Sequence, residues 1–220
     1  MNNEKMNHYD VFHAFLVENA EYDGELELPC IKTSDKLPNR LIPFSKAMER
    51  TTTDFNQWVM FYEHDIKFER LWNNPRMYLA KLKQFNGVIS PDFSLYRNMP
   101  LVMQEWNTYR NRALAHWLQE NGIEMIPNVR FNDERTYAFC FDGIAHNKTI
   151  AVGTHGCIKR AEDRNLFKSG LKVAVERLTP KNIIVYGAAP DDIFGECKKR
   201  GIQITAFESE FSKSRKQVVA

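Results

Sequence analysis

Apolar and polar positions follow two different rhythms along this chain, and the change falls near residue 85. Beyond it, short apolar runs closed by turn formers are separated by longer stretches with an apolar residue every three or four positions, the pattern of strands alternating with amphipathic helices. Asn86 to Ser90, opened by Gly87 and closed by Pro91, predicts a buried strand. Pro100 opens a helix whose Val102, Trp106, Tyr109, Ala113 and Trp117 form one apolar face, and Gly122 stops it. Met125 to Val129 predicts the next strand. Ala138 to Phe141 and Thr149 to Gly153 predict two more, joined through a turn at Asp142-Gly143. A second helix begins near Glu162, carries Phe167, Leu171, Ala174, Val175 and Leu178 on one side, and ends before Pro180. Asn182 to Tyr186 is the clearest strand pattern. Pro190, Asp191 and Asp192 open another helix, Gly201 ends it, and Ile202 to Phe207 forms the last strand.

Strands separated by helices of this length imply parallel pairing through right-handed crossovers, because a tight turn cannot reach a parallel neighbour. Residues 1–84 are less regular. There Leu41 to Phe44 and Trp58 to Tyr62 predict strands, and Phe68 to Leu82 predicts helix interrupted at Pro75. The candidate strands therefore lie near 41, 58, 87, 125, 138, 149, 182 and 202. That number suits a (βα)8 barrel, but the connections around residue 140 are too short for a helix in every unit. The expectation is one α/β domain over residues 1–220, with a regular core at 85–210 and a short tail at 211–220. Its architecture is a small, irregular barrel-like or half-barrel parallel sheet with helices; the alternative is an open doubly wound sheet.

Composition narrows the function classes. Hydrophobic residues make up 43% and charged residues 26%, enough apolar surface for a packed core, and the net charge of +2 sets up no one-signed field of the kind a DNA-coating protein needs. The polar N-terminus has no apolar signal core, and no apolar run approaches the ~18 residues of a membrane span, so a soluble cytoplasmic protein, monomeric or weakly dimeric, is expected. Cys30, Cys140, Cys157 and Cys197 are scattered without zinc-site spacing and read as free thiols, Cys140 and Cys197 in the core.

In parallel α/β folds the site lies beyond the carboxyl ends of the strands. The polar residues in those positions include Glu63, His64 and Asp65; Ser90, Asp92 and Ser94; Arg130 and Asn132; Asp142; Thr154 and His155; and Glu208 with Glu210. Converging carboxylates and imidazoles hold a divalent metal or serve as general acid and base, whereas the plain alternative is that loops are polar because they are wet. Asp92, His155 and Glu208 are the candidate catalytic residues. Asp92 stands out because a strand-end carboxylate between Pro91 and Phe93 is constrained. Thr154, Gly156 and Tyr186 are candidate cofactor contacts, since Gly153-Thr154-His155-Gly156 follows a strand and can turn backbone N–H groups toward a phosphate, although it lacks the established phosphate-loop patterns. Arg110, Arg112, Arg130 and Lys159 are candidate nucleic-acid contacts; Arg110 and Arg112 point roughly 200° apart on a helix and cannot clamp together alone. His116, in a helix beside Trp117, reads as structural, and Lys213-Ser214-Arg215-Lys216 as a solubilising or phosphate-touching tail. No CxxxCxxC cluster, zincin helix, serine elbow or kinase signature is present, and the cofactor remains open, with a divalent metal as one option.

The run Gly87-Val88-Ile89-Ser90-Pro91-Asp92-Phe93-Ser94, the segment Trp106-Asn107-Thr108-Tyr109-Arg110-Asn111-Arg112 leading to Trp117-Leu118-Gln119, Gly122 with Ile126-Pro127, and Tyr186-Gly187 resemble the DUF4417 domain family of phages and integrative elements of Gram-positive bacteria. The resemblance implies a small factor serving a mobile element; it brings no catalytic residues. Three functions stay open: binding or processing a nucleic acid or nucleotide, inhibiting or adapting a host protein complex, and acting as a barrel enzyme on a small phosphorylated or sugar-like substrate.

Overall fold

The computed structural model describes residues 10–209. A small antiparallel hairpin, β1 (Tyr22–Asp23) with β2 (Leu28–Pro29), precedes two parallel sheets. The first contains β3 (Leu41–Pro43), β4 (Trp58–Met60), β5 (Gly87–Ile89) and β6 (Met125–Ile126), in that order. The second contains β7 (Thr149–Gly153), β8 (Asn182–Tyr186) and β9 (Gln203–Phe207). Three short or medium helices, α1 (Phe44–Ala47), α2 (Glu69–Asn73) and α3 (Pro75–Leu82), serve the first sheet. The longer α4 (Leu101–Glu120), α5 (Ala161–Leu178) and α6 (Asp191–Lys199) follow.

The two sheets meet. Just past β6 the chain forms a parallel bridge between Asn128 and Ala151, with Val129 N–H donating to Ala151 O and Ala151 N–H donating to Pro127 O, both at 2.8 Å. The parallel strands thus run side by side in chain order from β3 to β9. Alternation within them separates two environments. Val59, Val88, Met125, Ile150, Val152, Ile183 and Val185 pack outward into the cores beneath the helices. Trp58, Met60, Ile89, Ile126, Ala151, Ile184 and Tyr186 gather in a separate inner cluster, reached by Leu41 from the first strand and Phe207 from the last. This is the half-barrel expected from the pattern. Among the described residues β9 does not pair with β3, so the barrel is not closed.

Burial on both faces accounts for the unbroken apolar runs. Gly87 is glycine for a packing reason: a Cβ there would lie 2.6 Å from the Trp58 ring, which lies against the strand backbone.

Three expectations need correction. Residues 138–141 are not a strand; the chain makes a 3-10 helix at Glu134–Ala138 and continues in turns. The carbonyls there are satisfied by the Arg112 side chain instead of a neighbouring strand, Nε reaching Asp142 O at 2.9 Å and an Nη reaching Cys140 O at 2.8 Å. The strands near 87 and 125 share a sheet, but the strand at 182–186 lies in the other, connected through the bridge after β6. Finally, the apolar face anticipated on α4 is only partly buried: Val102 is 67% and Trp106 45% exposed, whereas Gln104, Asn107, Thr108, Asn111 and Arg112 point inward.

That polar stripe has a cause. The segment after β5 has no strand neighbours for its backbone, and buried backbone groups need partners. Asn111 accepts from Phe93 N–H at 2.8 Å, Asn107 donates to Ser94 O at 2.7 Å, and Gln104 donates to Met99 O at 3.0 Å. The helix therefore holds the loop that carries Asp92. The tail at 211–220 and Glu210 lie outside the described residues.

Candidate functional site at the strand ends

Beyond the carboxyl ends of the parallel strands lies a cavity of about 510 Å³, walled by residues that follow β3, β4, β5, β6 and β7 and by Tyr186 at the end of β8. Asp92 reaches it from the clamped loop. Besides the bonds from α4, that loop is fixed where Asp65 accepts from Ser94 N–H at 3.0 Å and from Ser94 Oγ at 2.8 Å. The Asp92 carboxylate is 6% exposed and accepts from Asn128 Nδ2 at 2.7 Å, with an Arg130 Nη 3.4 Å from its other oxygen. Burial pushes this carboxyl up to about 6, against the opposing pull of Arg130 and Asn128. A group with that value exchanges protons near neutral pH. The nearby carboxylate holds the Arg130 guanidinium above its ordinary value, so Arg130 stays charged.

Asn128 joins two sides of the cavity. Its backbone N–H donates to Ser90 Oγ at 2.7 Å, and its Oδ1 accepts from the Tyr62 hydroxyl at 2.9 Å. The Tyr62 ring stacks on Tyr186 at 5.2 Å between centroids and crosses the backbone of Gly153, where a Cβ would lie 2.6 Å from the ring. Burial keeps the Tyr62 hydroxyl protonated, far above its usual range. On the opposite wall Glu63 accepts from Ser45 N–H and Oγ at 2.8 and 2.6 Å, and its neighbours Lys46, Lys67 and His64 also line the space.

The loop after β7 closes the rim. Thr154 Oγ donates to Ala188 O at 2.8 Å and its N–H donates to Tyr186 O at 2.9 Å, tying the β7 and β8 loops together. Gly187 makes this possible: at φ +116° it has a conformation L side chains rarely adopt, and a Cβ would meet Thr154 Oγ at 2.5 Å. His155, Gly156 and Cys157 then face the cavity. The imidazole of His155 is shifted downward, first by burial and then by Lys159. Its neutral form therefore prevails at neutral pH.

Of the residues anticipated from sequence, Asp92, Arg130, His155, Gly156 and Tyr186 share the cavity. Thr154 stands behind the rim as a loop tie, and Lys159 is exposed on that loop. Glu208 lines an adjoining groove of about 330 Å³ with Arg40 and Phe207, which meets the main cavity at Pro43 and Lys46. Two arginines are elsewhere. Arg110 lies 3.7 Å over the Phe93 ring and bonds both Glu69 oxygens at 2.8 and 3.0 Å. Arg112 is buried beneath the 140–142 turn, where burial lowers it to about 10. Neither offers its charge to the cavity. Among the described residues no group of three or more His, Cys, Asp or Glu is arranged to hold a metal ion, and none of the described helices is long and apolar enough to cross a membrane. Tyr62, Asn128, Lys46 and Lys67 were not anticipated. Asn128 had a signal available, since it follows β6 just as Asp92 follows β5.

A second, smaller lobe of about 240 Å³ adjoins the first. Tyr96, Arg130, Gly153, Gly156 and Cys157 border both.

Comparison with known proteins gives the chain its relatives. It is 33% identical over 168 residues to the Gene 1 protein of Mycobacterium phage L5, a match covering 76% of this chain and 73% of that protein. The Gene 1 protein of Mycobacterium phage D29 is 30% identical over 162 residues, covering 73% of this chain and 60% of its own length. No solved structure matches. The model of a domain of unknown function (DUF4417) matches residues 20–208, and with that coverage and these phage relatives the chain belongs to the DUF4417 family.

Proposed function

We propose that the strand-end cavity binds a nucleotide, or a nucleotide at the end of a nucleic acid, and that Asp92 takes up or releases a proton as the ligand is processed. The observation carrying this reading is the juxtaposition of Asp92 and Arg130 in one wall of a cavity that Lys46 and Lys67 also line. Three cations suit a phosphate-bearing ligand; Arg130 is held above its ordinary value by the Asp92 carboxylate 3.4 Å away, and Lys67 lies 3.6 Å from Glu63. Tyr96, 52% exposed at the edge, offers a ring face to a base. A concave space of this size favours a mononucleotide or a strand end over a duplex, which needs a long basic surface.

Thermal-shift titration of the full chain with 5′-mononucleotides and a short single-stranded oligonucleotide, at low and high salt, tests the proposal. A ligand that binds only the folded state raises Tm with concentration, and a phosphate contact weakens as salt rises. No shift with any of these probes overturns it.

A second reading rests on the outer face of α4, where Val102, Met103 and Trp106 are 67%, 49% and 45% exposed. Exposed apolar residues in one neighbourhood suit a protein partner. Replacing Trp106 with Ala separates the two: it leaves nucleotide binding unchanged and abolishes only protein association.

A further inference from the structure

The protein leaves the Arg130 guanidinium short of acceptors. Among the described residues its Nε is buried without a hydrogen-bond partner, and the contacts of an Nη are long, 3.4 Å to Asp92 Oδ2 and 4.0 Å to Cys157 Sγ. A group with several fixed N–H donors gains by meeting a stronger acceptor, and a phosphate oxygen is one. Asp92 is placed the opposite way. Its side chain is nearly sealed from water, so its negative charge depends on Asn128 Nδ2 at 2.7 Å and on Arg130. One cation therefore serves both a buried carboxylate and any anion that enters the cavity.

Resting on the nucleotide reading above, we infer that a phosphate drawn to Arg130 brings a proton onto Asp92, so that the site takes up its anionic ligand and one proton together. The proton comes from solvent and adds to a carboxylate oxygen; no other bond forms or breaks. A second negative charge beside Asp92 repels the carboxylate and takes away its share of Arg130, and both effects favour the neutral acid. The carboxyl then offers the phosphate an O–H donor where the carboxylate has only acceptors. Asp92 starts close to this change, because burial has already pushed it up to about 6, and Asp65 from the loop after β4 adds to the push. Of the other groups around it, Tyr62 remains a phenol bonded to Asn128, and Glu63 is committed to Ser45 and Lys67. Lys46 and Lys67 face the same cavity as cations. His64, His155 and Cys157 also line it and are the competing proton-exchanging groups.

Titration of the wild type and of Asp92→Asn with a 5′-mononucleotide at pH 5 and at pH 8 tests this. Asparagine keeps the size of the protonated carboxyl, and the ratio of the two Kd values cancels the titration of the ligand and of the histidines. Losing an adjacent cation's compensation changes a carboxyl's proton affinity by about tenfold or more. The ratio of wild-type to variant Kd is therefore expected to rise about tenfold from pH 5, where Asp92 already carries its proton, to pH 8, where the wild type must acquire one to bind. Should the asparagine variant melt early, calorimetry in buffers of different ionisation enthalpy counts the protons directly: uptake at pH 7 is expected in the wild type and in His64→Gln combined with His155→Gln. A ratio that stays constant while both proteins bind, or uptake that disappears with the two imidazoles, overturns the coupling to Asp92 and leaves the nucleotide reading standing. Failure of either protein to bind any mononucleotide at either pH overturns the nucleotide reading and the coupling with it.

Discussion

The carboxylate of Asp92 and the side-chain amide of Asn128 meet at 2.7 Å across the ends of neighbouring strands, in a place where Asp92 is nearly sealed from water. The sequence marks Asp92 as constrained between Pro91 and Phe93; the structure adds burial and the partners Asn128 and Arg130. The direction of its pH effect follows. A carboxyl raised from 3.8 to about 6 in the folded protein binds its proton more tightly there than in the unfolded chain. Folding is therefore favoured at low pH by this group, and that contribution is lost as pH rises from about 4 through about 6, on the order of 3 kcal/mol in all. The stability of the wild type minus that of Asp92→Asn, measured by urea unfolding across this range, is expected to fall and then level off. A flat difference contradicts the raised value.

Tyr62→Phe removes one hydroxyl and leaves the stacked ring in place. Asn128 Oδ1 then loses its donor in a buried setting, which costs about 1–3 kcal/mol. Chemical denaturation is expected to show that loss together with weaker nucleotide binding, because Asn128 also orients Asp92. Unchanged stability would mean that water replaces the phenol at no cost.

Arg112 separates structural from functional arginines. Arg112→Leu strands the carbonyls of Cys140 and Asp142, and hydrogen bonds from a charged donor to them are worth about 1.5–3 kcal/mol apiece. Urea unfolding is expected to register a loss of several kcal/mol, while the affinity of the surviving folded fraction for nucleotides stays within about twofold. A selective loss of affinity would return Arg112 to the binding residues.

How far the sequence reveals this arrangement depends on the kind of signal. Helices marked by Pro100, Pro190, Gly122 and Gly201 and most strands in unbroken apolar runs are legible to within a residue or two, since turn chemistry and burial both act locally; the strand predicted over Met125 to Val129 ends at Ile126. The half-barrel followed from counting them. Phe139-Cys140-Phe141 misled because an apolar run reports burial and not conformation; these residues are buried in a turn that Arg112 supports from below. The inward polar stripe of α4 was hidden for a related reason: Asn107 and Asn111 are drawn in by the backbone of a loop distant in sequence. Position after a strand found Asp92, Arg130 and His155, whereas Tyr62 was counted within the strand it follows and Asn128 within the predicted Met125 to Val129.

The loop tie at Gly187 gives a further prediction. Gly187→Ala places a Cβ 2.5 Å from Thr154 Oγ and 2.9 Å from His155 N, both on the rim, at a φ that strains any L side chain. The backbone strain alone costs about 1–3 kcal/mol. Thermal melting is expected to fall, and amide exchange to quicken over residues 154–157. Thr154→Val, which loses the hydroxyl's bond to Ala188 O and its longer one to Tyr186 O, is expected to cost about 1 kcal/mol by the same measurements. Equal exchange in both variants and the wild type would show that the rim does not depend on this contact.

The most direct test of the strand-end site is a map of backbone amide shifts in the full chain as a 5′-mononucleotide is added. Saturable changes are expected at Asp92, Asn128, Arg130 and His155 to Cys157, with little change at Trp106 or Arg112. Saturable changes confined to the outer face of α4, or none at any of these strand-end residues, would contradict the assignment of the cavity as the binding site.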